Sequence, residues 1–304
     1  VIKDIKSLNS VLGIRKFNLY GNSYGTRIAM RAADEKLTGL QAILLDSPWP
    51  PEASWTAYGP KWVSEAVKLV LENCEIQEKC AKQHRGLQTR FYNFMNEIVQ
   101  NPITKNANSY DAKLISQYLM DGLYDGEMVA KMPNDLENII NGDYSKLDEY
   151  KKNNGANYDE AHHIAFLCNE ELPFEDPKIS LENSKDDPIA MAVAQTMVLY
   201  FKTCSAFNNA KPKIVENSAV KSDIPALFMA AGIDPGCPAS LSVKAVKDFS
   251  KGQILIMPFS THQLAVNSEC ARNVARKFLT SPNEKLDLSC AKSEKEKIDF
   301  YDAE

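Results

Sequence analysis

A glycine–x–serine–x–glycine motif lies between a predicted strand and a predicted helix near the start of the 304-residue chain. The motif runs from Gly21 to Gly25 and follows the β-rich run Phe17–Tyr20. In this context it predicts a sharp turn that holds the central residue, Ser23, in a strained backbone conformation with its hydroxyl exposed. We expect both glycines to be required, because a Cβ at either position would clash with the neighbouring strand or helix. The alternative is an ordinary Gly–Ser turn of an unrelated α/β protein.

The chain alternates strands and helices at both ends and is helical and polar in between. Apolar strands separated by helices predict a parallel sheet with helices on both faces. We therefore predict an α/β fold of two core segments with an insertion. Residues 1–50 form the first part of the core with the serine turn, residues 51–220 a helical cap, and residues 221–304 the second part. Such an insertion commonly covers a site at the carboxyl ends of the strands.

Two residues after later strands could activate the serine, which is a weak nucleophile unless a base removes its proton. Of the four histidines, only His262 lies in a loop just after a predicted sheet strand, Gln253–Met257. The preceding predicted strand, 224–231, is followed by Asp234. The order Ser23, Asp234, His262 is the order of nucleophile, acid and base in α/β-hydrolases. We therefore predict that these three residues form a catalytic triad.

Three other aspartates are weaker candidates for the acid. Asp46 ends a strand but precedes the insertion, and we predict a structural role for it. Asp223 lies before its strand and Asp248 lies near the end of a helix.

An oxyanion hole requires two hydrogen-bond donors, and the sequence identifies one of them. We predict that the first is the backbone N–H of Tyr24, the residue after the nucleophile. The second donor normally comes from a loop after an early strand, which the 22 residues before Ser23 are too few to provide. We expect that N-terminal strands are missing from this chain and that an upstream segment or a second chain completes the fold. The alternative is that the oxyanion hole is built differently.

Seven cysteines are scattered along the chain without a C-x-x-C pair. This scatter favours a disulfide framework and an oxidising compartment, so we predict a secreted or periplasmic protein. The predicted disulfide pairs are Cys74–Cys80, Cys168–Cys204 and Cys270–Cys290. This pairing leaves Cys237 as a free cysteine. The alternative is a reduced cytosolic protein with buried thiols.

The overall composition excludes several classes of partner. A net charge of −5 argues against nucleic acid or an anionic membrane surface as the main partner. No apolar run approaches the roughly 18 residues of a membrane span. Adjacent side chains on a helix point in different directions, so we predict that His162 and His163 are solvent-facing or packing residues rather than metal ligands. We expect no metal and no organic cofactor.

A carboxylate pair in the predicted cap, Glu170–Glu171, follows an apolar run and adjoins a cysteine of a predicted disulfide. From the residues alone, two interpretations are equally well supported. The pair could lie in a solvated loop, or it could bind the ammonium group of a substrate.

The serine turn resembles that of proline iminopeptidases and secreted tripeptidyl aminopeptidases of the α/β-hydrolase fold. The stretches that carry the resemblance are Leu12–Ile14, Asn18–Arg27, Cys74–Cys80, Cys168–Glu170 and Gly232–Pro235. It implies a serine exopeptidase that releases amino acids or short peptides from peptides with a free N-terminus. It also implies that Glu170 binds the substrate ammonium, as cap glutamates do in that family; Glu171 is a tentative second ligand.

The chain departs from the family pattern at two places. Cys237 stands where the family usually has Val or Thr, and the residues around His262 are Ser-Thr-His-Gln rather than a Gly-His-Gly type. Two alternatives to an exopeptidase therefore remain: an esterase that acts on small acyl esters, and an α/β-hydrolase-like binding module without catalysis.

Overall fold

The computed structural model describes residues 1–153, 160–205, 212–294 and 297–301. The chain divides into two compact units: the first comprises Val1–Ala53 and Val215–Glu296, and the second comprises Ser54–Ile214 and Lys297–Glu304. The last residues therefore do not belong with the core segment predicted over 221–304. The reason is hydrogen bonding inside the second unit, where the backbone N–H of Ile298 donates to the side-chain Oδ1 of Asn73 at 2.9 Å.

The first unit begins with two strands that alternate with helices. These elements are α1 (Ile2–Val11), β1 (Phe17–Asn22), α2 (Tyr24–Asp34) and β2 (Leu40–Asp46). The predicted limits of β2 are confirmed, and β1 extends two residues further than its apolar run, up to the residue before Ser23.

The second unit is mainly helical. Its helices are α3 (Trp55–Ile76), α4 (Glu78–Gln83), α5 (Leu87–Gln100), α6 (Ala112–Gly122), α7 (Gly126–Ile140), α8 (Ser145–Asn153), α9 (Glu160–Phe166), α10 (Pro177–Ser184) and α11 (Pro188–Ser205). Between α5 and α6 lies a short antiparallel hairpin of β3 (Ile103–Lys105) and β4 (Asn108–Tyr110). Within the described ranges, no helix combines the length and the apolar character needed to cross a membrane.

The chain then returns to strands and helices of the first unit. These are β5 (Ala226–Ala231), α12 (Ala239–Ala245), β6 (Gly252–Met257), α13 (Leu264–Asn267), α14 (Glu269–Thr280) and α15 (Cys290–Glu294). Two short 3-10 helices, Ile214–Asn217 and Val246–Asp248, precede β5 and β6.

In the described part of the first unit, four parallel strands form one sheet in the order β1-β2-β5-β6. Asn22 pairs with Asp46, and Asp46 pairs with Met229. Ala231 pairs with Met257 in the same way. This register aligns the carboxyl ends of all four strands, so the residues that follow them share one edge of the sheet. Parallel α/β sheets bind their ligands at that edge.

Helices cover both faces of this sheet, as its continuous apolar strands predict. Ala42 and Leu44 of β2 belong to a core with α14, where Phe278 is fully buried. Ile43 and Leu45 face the other way and belong to a core with α2. Each fully buried aliphatic side chain contributes about 1.5–3 kcal/mol to folding. The predicted α/β architecture, a parallel sheet between two layers of helices, is confirmed.

The described residues form three disulfides, in the pairing that the sequence favoured. The pairs are Cys74–Cys80, Cys168–Cys204 and Cys270–Cys290. Links of this kind stabilise a fold by about 2–4 kcal/mol each, mainly by restricting the unfolded chain. Cys237 is a buried free thiol.

Candidate active site

Ser23 occupies the turn between β1 and α2 with the strained backbone that the motif predicts. Its φ is 52° and its ψ is −122°, a conformation that residues with a side chain rarely adopt and that costs on the order of 1–3 kcal/mol. Its N–H donates to the carbonyl of Asp46 at 3.0 Å, and its own carbonyl accepts from the N–H of Thr26 at 2.9 Å. Hydrogen bonds on both sides therefore hold the strained residue in place.

The two glycines of the motif have different roles. A Cβ on Gly21 would lie 2.4 Å from the carbonyl oxygen of Gly25, which no backbone shift can accommodate cheaply, so a glycine is required there. A Cβ on Gly25 would meet no atom within 4 Å. The prediction that Gly25 prevents a clash is wrong, because the side of α2 on which its Cβ would project is open.

The residue after the serine is Tyr24, and it is the first residue of α2. Its backbone N–H therefore belongs to a helix N-terminus, which carries a partial positive charge. This is the location that an oxyanion donor requires, because the developing negative charge on a carbonyl oxygen is stabilised there.

Asp234 and His262 lie in direct contact in the loops after β5 and β6. Asp234 Oδ2 is 2.7 Å from His262 Nδ1, and the aspartate is only 1% exposed. The other carboxylate oxygen, Oδ1, accepts from the N–H of Gly236 at 3.1 Å and of Cys237 at 2.8 Å. Because a carboxylate can only accept, Nδ1 carries the proton and the basic lone pair of the ring is on Nε2.

Gly232 allows the two loops to approach this closely. A Cβ there would lie 2.0 Å from the carbonyl oxygen of Pro258, the first residue after β6. The N–H of Gly232 donates to Met257 at 3.0 Å, and the N–H of Ile233 donates to Ser260 at 3.0 Å. The backbone bonds thus continue the β5–β6 pairing into the loops that carry Asp234 and His262.

We expect Gly232→Ala to destabilise the protein by about 1–3 kcal/mol, the usual cost of forcing extra atoms into a packed interior. Gly25→Ala is the matched control, because the same methyl group meets no neighbour and alanine favours a helix by roughly 0.5–1 kcal/mol. The urea midpoint should fall for the first variant and stay level or rise for the second. Equal midpoints for Gly232→Ala and the wild type would contradict the close approach.

Asp46, predicted to be structural, anchors the segment that follows His262. Its Oδ1 accepts from the N–H of Leu264 at 2.8 Å, and its Oδ2 accepts from the N–H of Ala265 at 2.9 Å. Burial raises the pKa of Asp46, while the hydrogen bonds from Ala265, Tyr20 and Leu264 act in the opposite direction. The buried carboxylate therefore connects the end of β2 to the turn that presents the histidine.

Ser47 and Asn267 also hold the backbone of the loop that carries His262. Gln263, directly after His262, has a φ of 66°, and its N–H donates to Ser47 Oγ at 2.9 Å. Asn267 Nδ2 donates to the carbonyl of His262 at 2.7 Å. Sequence reasoning missed both residues. Ser47 reaches this loop only through the position of β2, whereas Asn267 lies five residues after His262, at the end of α13.

The two remaining aspartates lie at the other end of the sheet. Asp223 precedes β5, and Asp248 precedes β6, where it lies 3.8 Å from Lys221 in an ion pair. Their distance from the carboxyl ends of the strands excludes them as partners of His262.

The glutamates and paired histidines of the predicted cap belong to the second unit. Glu170 and Glu171 lie on a turn of π-helix, Leu167–Glu171, in which Glu171 is buried and Glu170 is partly exposed. Single π-helical turns are frequent at functional sites. His163 packs against Trp55, Phe166 and Tyr200, and burial lowers its pKa to about 4. Its aromatic neighbours agree with a packing role.

The family match lies in the second half of the chain. Residues 190–290, which contain both Asp234 and His262, match the family described as TAP-like protein. No curated protein is significantly similar to the chain.

Several solved structures align with most of the chain at low sequence identity, and two of them serve as examples. An α/β-hydrolase from a Medee basin deep-sea metagenome library is 12% identical, with 94% of this chain and 72% of that chain covered and a TM-score of 0.36. The proline iminopeptidase of Mycobacterium smegmatis is 12% identical. The alignment covers 93% of this chain and 71% of that chain, with a TM-score of 0.38. By its own sheet, its serine turn and the loops that carry Asp234 and His262, the chain has the α/β-hydrolase fold, and over residues 190–290 it is similar to the TAP-like proteins.

Proposed function

We propose that the protein is a serine hydrolase whose catalytic residues are Ser23, His262 and Asp234. The observation that carries this proposal is the buried 2.7 Å contact between Asp234 and His262, at the edge of the sheet where the strained Ser23 also lies. A strained serine, a histidine and an acid at three aligned strand ends are what acyl transfer by this fold needs.

In the proposed mechanism, the hydroxyl of Ser23 attacks the scissile carbonyl while Nε2 of His262 takes its proton. Asp234 holds the ring through Nδ1 and stabilises the imidazolium that forms. The N–H of Tyr24 donates to the oxyanion of the tetrahedral intermediate. His262 then gives its proton to the leaving amine, and water hydrolyses the acyl-enzyme by the same route.

We propose further that the substrates are peptides with a free N-terminus and that the protein acts as an exopeptidase. Two observations support this: the resemblance carried by Asn18–Arg27 and Cys168–Glu170, and the similarity of residues 190–290 to TAP-like proteins. In this proposal the carboxylate of Glu170 binds the substrate ammonium through a charge-assisted hydrogen bond. Three disulfides are compatible with a secreted or periplasmic location, which we propose for the same protein.

Replacing Glu170 by glutamine tests the substrate class. The change removes one negative charge at constant shape, and hydrogen bonds to charged groups contribute about 1.5–3 kcal/mol. We expect kcat/KM for a peptide amide with a free α-amino group to fall roughly 10- to 100-fold. Hydrolysis of a small acyl ester, which carries no ammonium, should stay within about twofold.

Glu182→Gln is the matched control, because Glu182 is an exposed glutamate of the same unit whose partner is Lys185. It should leave both reactions unchanged. If Glu170→Gln affects peptide and ester equally, the ammonium role of Glu170 is wrong. Hydrolysis of the ester alone by the wild type would identify an esterase, and hydrolysis of neither would favour a binding module.

A further inference from the structure

A cysteine lies beside the acid and the base, in a cluster that the proposed mechanism does not use in full. One ligand atom from each of Asp234, Cys237 and His262 lies within 4.8 Å of the others. The cysteine is only 2% exposed. The hydroxyl of Ser23 is close enough to hydrogen-bond the thiol. Sulfur, imidazole nitrogen and carboxylate of three buried residues therefore meet beside the partly exposed Ser23.

The hydrogen bonds of this cluster determine how a metal ion would be held. Both carboxylate oxygens of Asp234 already accept hydrogen bonds, Oδ1 from backbone N–H groups and Oδ2 from Nδ1 of His262. Protein zinc sites commonly have a histidine that binds the metal through one nitrogen and a carboxylate through the other. In that arrangement Nε2 of His262 and Sγ of Cys237 are the protein ligands, and Asp234 orients the ring from behind.

The separations and the donor types favour one class of cation. Zinc binds nitrogen at about 2.0 Å and sulfur at about 2.3 Å, so two such ligands lie roughly 3.5 Å apart around one ion. A ring nitrogen of His262 and Sγ of Cys237 lie within 4.8 Å of each other, so side-chain rotation must bring Nε2 and Sγ onto one ion. Thiolate and imidazole select Zn²⁺ and softer ions over Mg²⁺ and Ca²⁺, which prefer oxygen ligands. Ser23 Oγ or water would complete the coordination.

We propose that a thiophilic divalent cation, Zn²⁺ or its analogue Cd²⁺, binds between Cys237 and His262 and inhibits the hydrolase. The inference goes beyond the proposed function, although the inhibition it describes rests on that function. Burial and the nearby Asp234 raise the pKa of the Cys237 thiol well above its ordinary value, so the metal-free thiol is protonated. Binding forms a sulfur–metal bond and releases that proton to solvent, with no change of oxidation state.

Inhibition follows from the ligands themselves. The lone pair of Nε2 that would accept the proton of Ser23 is donated to the metal instead, so the serine is no longer activated.

The experiment titrates the protein with Cd²⁺ and follows the charge-transfer absorption of the Cd²⁺–thiolate bond, with Mg²⁺ as the control cation. Cys237 is the one free thiol among the seven cysteines, all of which lie in described ranges, so the absorption reports on it alone. We expect one equivalent to bind. Cys237→Val should lose the absorption and weaken binding by more than about 100-fold, since loss of outer-shell partners alone costs roughly 10- to 100-fold.

Hydrolysis is measured in parallel with Zn²⁺ and after chelation. We expect Zn²⁺ to inhibit the wild type reversibly and the folded Cys237→Val variant much less. Absence of the thiolate absorption in the wild type, or equal inhibition of both proteins, would overturn the proposal. A thiolate-dependent Cd²⁺ site in a protein without hydrolytic activity would instead uphold the metal site and reject the proposed function.

Discussion

Replacing Ser23 by alanine should lower kcat by about 10⁴- to 10⁶-fold, the range expected when the nucleophile of a serine triad is removed. Substrate binding should persist, because the hydroxyl acts on the reacting carbonyl rather than on the rest of the substrate. The fold should persist as well, since the hydrogen bonds that hold Ser23 use its backbone and an alanine keeps them.

The matched control is Ser10→Ala, which removes an exposed hydroxyl from the end of α1. Its kcat should equal that of the wild type. Steady-state kinetics on the same substrate measure both variants. Activity of Ser23→Ala within tenfold of the wild type would contradict the assignment of Ser23 as nucleophile.

Replacing Asp234 by asparagine should lower kcat by roughly 10⁴-fold, the effect seen when a triad aspartate becomes an amide. The physical reason is the 2.7 Å contact with Nδ1 of His262. An amide can present its NH₂ group to the ring, which favours the tautomer with the proton on Nε2, and that tautomer cannot accept the proton of Ser23. An amide also provides no charge to stabilise the imidazolium.

Asp248→Asn is the control, because Asp248 lies before β6 at the opposite end of the sheet. Its kcat should stay within about twofold of the wild type, as expected for a partly exposed charge in a surface ion pair. The same kinetic assay compares the two variants. A loss in Asp248→Asn as large as that in Asp234→Asn would show that charge, and not the contact with His262, determines the rate.

The sequence predicts the parts of the site that depend on local order along the chain. Ser23, Asp234 and His262 each follow an apolar run, and in a parallel sheet the residues after such runs share one edge. β2 is buried on both faces, so its limits are visible as a continuous apolar segment. The Cys74–Cys80 disulfide is the easiest pair to predict, because only six positions separate the two cysteines along the chain.

The parts that the sequence does not predict depend on contacts between distant segments. The approach of Gly232 to Pro258 and the hydrogen bonds from Leu264 and Ala265 to Asp46 require the register of the strands. The position of the last residues in the second unit depends on hydrogen bonds more than two hundred residues apart, such as that from Gln77 to Ile298. A clash at Gly25 was expected from the motif, yet the structure leaves that side of the helix open.

The central claim is that Ser23 is a nucleophile activated by His262 and Asp234, and covalent labelling tests it most directly. A fluorophosphonate reacts with an activated serine hydroxyl, forming an oxygen–phosphorus bond and releasing fluoride. Mass spectrometry of the digested wild-type protein should locate the adduct on Ser23, with slower labelling of Asp234→Asn and none at that position in Ser23→Ala. A folded wild-type protein that remains unlabelled, or that is labelled at another serine to the same extent in Ser23→Ala, would contradict the claim.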